Sequence, residues 1–361
     1  MNERYVGKLI ELLKKNDLDA MLLVPSEELK FLAGFSPYLC ERFQGLFIKK
    51  NGGYFYFCNQ LTKDELEGLV PDDKVYAWSD NEIFTDALKP VFEKEELLGK
   101  RIGINSTARA FNILDIMKTM DVIFLNGKSL LEEIRIIKTQ DEIQNMKEAA
   151  RRTDLVMEEI FGFIRPGLTE GEISEEVRKS FERNGMAPEF AIVASGSNCA
   201  LPHYSGNDRV IEKKDIVLLD IGGKYNGLCS DMTRTVFVGG VTEKEAIAYN
   251  TVLEATLKGI ETVKVGAMAK EIDTAARNVI KENGFDRYFT TRVGHGIGYS
   301  VHEAPYINGN SDLLMENGMA FSIEPGIYIK NQFGIRIEDI VLVENGVGVS
   351  LNTATKELIV L

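Results

Sequence analysis

Two segments of the chain repeat each other at an offset of 99 residues, so that residues 165–185 match residues 264–284. Both segments place a glycine before an amphipathic stretch and end at an Asn-Gly pair. Chance similarity between two amphipathic helices is the alternative explanation, because helix faces share composition. The common start and stop signals favour a duplicated helix-plus-strands unit, which would place a ligand site between two pseudo-symmetric halves. Six residues recur: Gly167, Glu172, Ile173, Arg178, Asn184 and Gly185 as Gly266, Glu271, Ile272, Arg277, Asn283 and Gly284.

Two acidic residues lie inside apolar runs that are typical of buried strands. Asp220 interrupts the run 215–223 (DIVLLDIGG), and Glu324 interrupts the run 319–329 (MAFSIEPGIYI). Acidic residues are almost never fully buried unless they are paired or bound to a metal. An isolated buried carboxylate would cost several kcal/mol or lose its charge. Because Lys and Arg are sparse in both runs, the sequence requires another source of positive charge.

Each of these acidic residues gains an acidic neighbour when the turns are placed. A turn near residues 225–227 folds the first run back, so that Asp220 and Asp231 come within a residue or two of facing each other. A second hairpin turning at residues 330–332 pairs Glu324 with Glu338. Cross-strand neighbours lie ~5 Å apart, and like charges at that distance destabilise a sheet unless a cation lies between them.

His295, in the run 294–298 (GHGIG), adds one imidazole to these four carboxylates. Four negative charges match two divalent ions, and oxygen-rich ligands with one nitrogen suit Mn, Co or Fe better than a thiolate-type zinc site. Metals ~3.5–4 Å apart would let one hydroxide bridge both. Taken singly, each residue also has a structural interpretation: Asp220 and Asp231 as turn or capping residues, Glu338 in an exposed strand and His295 as a packed core histidine.

The first ~130 residues alternate helix and strand signals and carry no catalytic constellation of their own. A helix is predicted around residues 6–13 and a buried strand over 19–25. A hairpin signal follows at residues 51–53. We therefore predict a small α/β domain over residues 1–131 and a second domain over 132–361, which begins with a long helix from 141 to about 164 and continues with a capping box at Thr169.

The net charge of −13 argues against nucleic acid or an anionic membrane as a partner, because phosphates would be repelled. No apolar stretch approaches the ~20 residues that a membrane span needs. The polar N-terminus predicts no signal peptide. Four cysteines without CxxC spacing predict reduced thiols, and together these features predict a cytoplasmic protein.

The motif runs of the second domain resemble those of the pita-bread metallopeptidases, in the branch of the Xaa-Pro aminopeptidases and Xaa-Pro dipeptidases (prolidases). The resemblance implies an α+β fold, with a duplicated helix-plus-antiparallel-strands catalytic domain after a smaller creatinase-type α/β domain. The first domain is similar to the latter through FLAGFSP and ERFQGLF. The matching runs in the second domain are 203–211 (HYSGNDRVI), 220–235 (DIGGKYNGLCSDMTRT), 294–298 (GHGIG), 301–305 (VHEAP), 321–329 (FSIEPGIYI) and 334–339 (GIRIED).

The same resemblance implies two divalent metal ions per chain, Mn²⁺ or Co²⁺, with Fe²⁺ or Zn²⁺ as alternatives. Asp220 would chelate one ion, and His295 with Glu324 the other. Asp231 and Glu338 would bridge both ions.

Four residues receive catalytic roles from the resemblance. Glu324 would manage the proton of the attacking water. His203 and His302 would hydrogen-bond the substrate and stabilise the tetrahedral oxyanion. Arg336 would orient the bridging carboxylate. For His203 the alternative is a loop histidine that has no catalytic or binding role.

The function implied is hydrolysis of the bond between an N-terminal residue and proline in a dipeptide or short peptide, through a metal-bridging hydroxide in a homodimer. Two alternatives on the same fold are a metal-free creatinase-like amidinohydrolase and a catalytically silent peptide-binding module. Both expect loss of metal ligands, and all five are present.

Two positions depart from the family pattern. Tyr299-Ser300 replaces the common Leu-Glu after GHGIG, and Tyr306 stands where some prolidases carry an arginine that holds a dipeptide carboxylate. No Arg or Lys occurs from 303 to 323. Tripeptides are therefore expected to be hydrolysed at least as well as dipeptides, unless Arg292, Arg336 or a partner subunit's arginine such as Arg42 supplies the charge.

Overall fold

The computed structural model describes residues Met1–Leu361 and divides into two compact units, Met1–Arg135 and Ile136–Leu361. The first unit is built on a six-stranded mixed sheet of spatial order β4-β3-β2-β1-β5-β6. The predicted hairpin at residues 51–53 is confirmed, because Ile48 pairs with Tyr54 across it. The strands are β1 (Ala20–Leu23), β2 (Gly45–Lys49), β3 (Tyr54–Asn59), β4 (Val75–Trp78), β5 (Lys100–Ile104) and β6 (Val122–Asn126).

Helices accompany this sheet, and the first illustrates how the sequence forms them. It places Leu9, Leu12 and Leu13 on one buried face, which gives the amphipathic spacing of a helix that packs on one side only. The helices of the unit are α1 (Glu3–Lys15), α2 (Glu27–Ala33), α3 (Gln60–Lys63), α4 (Phe84–Lys94), α5 (Ala110–Thr119) and α6 (Lys128–Arg135).

The unit ends at Arg135 rather than at residue 131, where the sequence suggested a domain boundary. The reason is that α6 continues to Arg135 and packs against α1 of the same unit. The proposed ranges 1–131 and 132–361 therefore divide this helix.

The second unit contains four long helices in two consecutive pairs. The predicted capping box at Thr169 is formed, since its hydroxyl accepts from the backbone N–H of Glu172. A second capping box, which was not predicted, begins α7, where the hydroxyl of Thr139 accepts from the N–H of Glu142. None of the helices of the protein combines the length and the apolar character that crossing a membrane requires. The four helices are α7 (Gln140–Phe163), α8 (Glu170–Arg183), α9 (Glu243–Thr262) and α10 (Ala269–Glu282).

The strands of the second unit form two five-stranded sheets and one two-stranded sheet. The orders are β18-β10-β8-β7, with β9 beside β8, then β12-β11-β13-β16-β17, and finally β14-β15. The strands are β7 (Ala187–Ser195), β8 (Ile216–Tyr225), β9 (Leu228–Cys229), β10 (Met232–Phe237), β11 (Gly294–Gly296), β12 (Glu303–Ile307), β13 (Ala320–Ile323), β14 (Gly326–Ile329), β15 (Phe333–Arg336), β16 (Asp339–Glu344), β17 (Val347–Ser350) and β18 (Ile359–Val360).

The duplication predicted from the sequence extends to the backbone. Helices α8 and α10 begin and end 99 residues apart, at 170 and 269 and at 183 and 282. Each is preceded by a glycine in the left-handed region, Gly167 at φ +94° and Gly266 at φ +83°. Glycine is favoured at both positions because it has no Cβ to clash there. The two halves of the unit are thus repeats of one helix-plus-strands arrangement.

Candidate metal centre and substrate cavity

A cavity of about 680 Å³ in the second unit brings together all of the predicted site residues. They come from strands of both halves and from the segments that connect those strands. The predicted residues in its wall are His203, Asp220, Asp231, His295, His302, Glu324, Arg336 and Glu338.

The first acidic pair lies on the hairpin β8–β10. Asp220 pairs with Thr233, so Asp231 stands two residues along from the position opposite Asp220, as predicted. Residue 231 lies between β9 and β10, where the strand pairing is interrupted. Its side chain therefore need not follow the alternation of side chains between the two faces of a strand. It is buried in the cavity wall.

The second acidic pair lies where another hairpin is interrupted. Gly326 pairs with Arg336 and Ile323 pairs with Asp339, and the same register places Glu324 opposite Glu338. The ladder breaks between these pairs because Pro325 has no N–H to donate. The backbone N–H of Glu324 donates instead to Val293 O at 2.7 Å, and that of Glu338 to Thr233 O at 3.1 Å. These bonds join the second pair to the residue that precedes β11, the strand of His295, and to β10, which begins directly after Asp231.

Three buried side chains, Asp231, His295 and Glu338, each direct one ligand atom into a space where these atoms lie within 4.8 Å of one another. His295 Nε2 is 3.7 Å from Asp231 Oδ2 and 3.2 Å from Glu324 Oε1. The other ring nitrogen, Nδ1, lies 3.1 Å from the carbonyl of Gly296, which accepts if Nδ1 carries the proton. That tautomer turns the Nε2 lone pair toward the carboxylates, and an acceptor facing acceptors needs a cation between them.

Two carboxylate oxygens in this space, Asp231 Oδ1 and Glu338 Oε1, are buried without a hydrogen-bond donor. Buried acceptors are normally satisfied, so these two atoms indicate a bound cation. Two further carboxylate oxygens of the cluster are oriented by hydroxyls. Thr233 donates to Glu338 Oε2 at 2.6 Å, and Ser322 donates to Glu324 Oε1 at 2.9 Å. The donor set therefore fits hard or borderline divalent ions.

Without a cation, the carboxylates of the centre oppose one another's ionisation. Burial and the neighbouring carboxylates raise the pKa of Asp231 and of Glu338 well above the ordinary range, and burial also raises the pKa of Glu324. Burial lowers the pKa of His295 to about 4, so its ring is neutral at neutral pH, as a metal ligand requires.

Arg336 contacts Asp220 rather than a carboxylate predicted to bridge. Its Nη2 donates to Asp220 Oδ2 at 2.6 Å, while its Nε donates to Thr233 Oγ1 at 3.0 Å. Tyr328 holds the guanidinium from a further side at 2.7 Å. Arg336 thus reaches Glu338 only through Thr233, because its side chain extends from β15 across to β8.

The histidines His203 and His302 are related by the offset of 99 residues that relates the two halves. The ring centroids of His302 and His295 are 4.2 Å apart. Burial, followed by the charges of His295 and Arg292, lowers the pKa of His302 to about 4. His203 lies in an exposed loop, whose next residue, Tyr204, donates to buried Glu170 at 2.8 Å.

Sequence reasoning gave no role to several residues of the cavity wall. Glu189 and Phe190 are adjacent in β7, yet both face the cavity. A break in the register between Pro188 and Phe190 makes this possible, since consecutive residues of a regular strand point to opposite faces. The run FSIEPGIYI contains Tyr328, but nothing in its spacing signals a hydrogen bond to Arg336.

The sequence matches two family models. Residues 144–345 match the model of metallopeptidase family M24, and residues 6–137 match the creatinase/prolidase N-terminal domain. The chain therefore belongs to metallopeptidase family M24, in its form with a creatinase-type N-terminal domain, and it is a metallopeptidase with the pita-bread fold that the sequence predicted.

Similar proteins extend over the whole chain. The Xaa-Pro dipeptidase of Pyrococcus horikoshii is 34% identical and covers 99% of both chains. The probable dipeptidase PepE of Mycobacterium tuberculosis is 37% identical over 95% of this chain and 92% of its own. The crystal structure of recombinant prolidase from Thermococcus sibiricus superposes with a TM-score of 0.93 at 33% identity, covering 100% of this chain and 99% of the other.

Proposed function

We propose that the protein hydrolyses the bond between an N-terminal residue and proline, using two divalent metal ions held in the second unit. The observation that carries this proposal is the cluster of buried carboxylates around His295, in which two oxygens lack any donor. The relatives named as Xaa-Pro dipeptidase and prolidase support the choice of an Xaa-Pro substrate. A metal-free hydrolase or a silent binding module would have no need for this acidic cluster.

Asp220 would hold one ion and His295 with Glu324 the other, and Asp231 and Glu338 would complete the donor set of both. Oxygen ligands with a single imidazole favour Mn²⁺ or Co²⁺, with Fe²⁺ or Zn²⁺ as alternatives. Bound ions of this kind supply a water of depressed pKa and polarise the substrate carbonyl.

Proton transfer is assigned to Glu324. Its carboxylate, 18% exposed, is oriented by the Ser322 hydroxyl and reaches the cavity. We propose that one carboxylate oxygen of Glu324 takes the proton of the attacking water and delivers it to the departing proline nitrogen. That nitrogen carries no hydrogen in the peptide bond and leaves as a secondary amine, so a proton donor is required.

Stabilisation of the tetrahedral oxyanion is assigned to His302, and His203 is proposed as a second hydrogen-bond donor to the substrate. The pKa of His302, about 4, makes this ring neutral at neutral pH, so it carries one N–H and one free nitrogen. A neutral donor stabilises an oxyanion without repelling the metal ions, which a protonated imidazolium beside His295 would do.

Three further assignments belong to this proposal. The two domains are the two compact units, with the predicted boundary at residue 131 moved to the end of α6 at Arg135. The protein acts as a homodimer in the cytoplasm. The location is supported by the four cysteines, which are all free thiols, three of them buried.

The test is a comparison of metal-free and metal-loaded protein. Protein stripped with a chelator should lack activity and should regain it with two equivalents of Mn²⁺ or Co²⁺. An Xaa-Pro dipeptide should be cleaved far faster than the matching Xaa-Ala dipeptide. Full activity of the stripped protein would favour the metal-free hydrolase, and metal binding without hydrolysis would favour the silent module.

A further inference from the structure

Arg292 is a basic residue of the cavity wall without a carboxylate partner. The cavity is lined by two arginines, and the other, Arg336, is paired with Asp220. Arg292 forms no ion pair, in a chain with 55 acidic and 42 basic residues. A half-buried guanidinium without a counter-charge, in a cavity otherwise rich in acid, is an anion site that the protein itself leaves open.

The position of this guanidinium is fixed by an aromatic ring. Arg292 Cζ lies 5.2 Å from the ring centroid of Tyr306, within the range of a cation–π contact. Tyr306 pairs with His295 across β11 and β12, so the two side chains share one face of the sheet. The guanidinium is therefore held beside the strand that carries the proposed metal ligand.

A hydroxyl adjoins the guanidinium in sequence and faces the same cavity. Thr291 Oγ1 is buried and has no hydrogen-bond partner within the protein. Thr291 and Arg292 both line the cavity. A guanidinium and a hydroxyl side by side, both with donors to spare, match the two oxygens of a carboxylate.

We propose that Arg292 and Thr291 bind the free C-terminal carboxylate of a dipeptide, which makes the enzyme a dipeptidase. This inference rests on the proposed function. In a dipeptide the carboxylate carbon is only two bonds from the scissile nitrogen, so the group that binds it must lie close to the reacting atoms. The stretch 303–323 supplies no basic residue, as the sequence showed, and the required cation comes instead from the neighbouring segment before β11.

The same arrangement disfavours longer substrates. A tripeptide would bring a neutral amide to Arg292 and would leave the guanidinium desolvated without a counter-charge. An unpaired, half-buried charge disfavours a substrate that brings no carboxylate to it, in addition to favouring one that does. The sequence-based expectation that tripeptides are cleaved at least as well is therefore replaced by a preference for dipeptides.

The test uses metal-loaded protein and three substrates that differ only beyond proline: an Xaa-Pro dipeptide, its C-terminal amide and the Xaa-Pro-Xaa tripeptide. Wild type should prefer the dipeptide acid. In Arg292→Gln, kcat/KM for the acid should fall about 10- to 100-fold, mainly through KM, because a charge-assisted bond is lost. The value for the amide should stay the same or rise. Arg292→Lys should retain part of the preference.

Lys281→Gln is the matched control, since it removes one exposed positive charge from the same unit. It should leave the acid-to-amide ratio unchanged. Metal content and melting temperature of each variant exclude loss of the fold. If Arg292→Gln lowers kcat/KM equally for acid and amide, the proposed subsite is wrong. If metal-loaded wild type cleaves none of the three substrates, the proposed function itself fails.

Discussion

At the scale of single residues, the candidate metal centre is distinguished by carboxylate oxygens that have no hydrogen-bond donor. Asp231 Oδ1 and Glu338 Oε1 are buried with no donor. An unsatisfied buried polar group costs about 1–3 kcal/mol, and more when it is charged. A bound cation would remove this cost, because it would satisfy both oxygens. The proposed metal ligands are therefore expected to destabilise the protein when the metal is absent.

Replacing Glu338 with Gln separates the contribution of this carboxylate to metal binding from its cost to the stability of the metal-free protein. Glu338→Gln keeps the shape of the side chain and removes one buried charge, so the metal-free protein should become more stable by about 1 kcal/mol or more. The same variant should lose most of its metal and activity. Chemical denaturation with and without chelator, together with metal analysis, measures both. Glu316→Gln, at an exposed position, is the control and should change neither.

The neighbouring histidines should separate binding from chemistry. His295→Ala should lose metal and activity together, because it removes a proposed ligand. His302→Ala should keep its metal yet lose ~10²–10³ in kcat, the typical loss for one oxyanion donor. Metal analysis and steady-state kinetics on the two variants distinguish these outcomes. Loss of metal from His302→Ala would show that this ring is a ligand and not a substrate donor.

At the scale of elements, the sequence predicted the hairpins correctly because their signals are local. The turn residues set the register, and the register alone placed Glu324 opposite Glu338. The contacts of Arg336 and Arg292 could not be predicted in this way. Arg336 reaches Asp220 on a strand more than a hundred residues away, and Arg292 depends on how its segment approaches Tyr306. Side-chain reach between distant segments has no signature in local spacing.

The close approach of β11 and β13 gives a prediction about these elements. A Cβ at Gly294 would lie 1.9 Å from the carbonyl oxygen of Ser322, so the strands must separate to admit it. Gly294→Ala should cost about 1–3 kcal/mol or more and weaken metal binding, since His295 and Glu324 would move apart. Gly162→Ala, in helix α7 with nothing within 4 Å, should instead stabilise by about 0.5–1 kcal/mol. Denaturant titrations of both variants, with metal analysis, test this contrast.

At the scale of the whole molecule, the proposed metal ligands come from both repeats of the second unit. Asp220 and Asp231 come from the first repeat, and His295, Glu324 and Glu338 come from the second. Each repeat also supplies one of the two histidines related by the offset of 99 residues. An ion that binds ligands from both repeats binds only the folded unit, so it stabilises the fold by about 2.7 kcal/mol at a concentration of 100 times Kd.

The pH dependence of the metal-free protein has two opposing parts. The pKa values of Asp231 and Glu338 are raised in the folded state above the unfolded values of about 4, so their contribution to stability is lost as pH rises above ~4. The histidines behave in the opposite sense. The folded pKa of about 4 for His295 and His302 lies below the unfolded ~6.5, so stability is lost as pH falls between these values.

Bound metal should remove the loss of stability that the carboxylates cause as pH rises. The loss that protonation of the histidines causes as pH falls should remain. A cation stabilises the ionised carboxylates, so the loss above pH ~4 should disappear when the ions are present, and metal binding should release protons. We therefore expect the difference in Tm between metal-loaded and chelated protein to increase from pH 5 to pH 7.5. Thermal denaturation at constant free Mn²⁺ measures it. Glu338→Gln should show a smaller and flatter difference, because it has one fewer buried carboxylate to ionise. A difference that is constant with pH, or largest at pH 5, would mean that the buried carboxylates do not bind the metal in their ionised form.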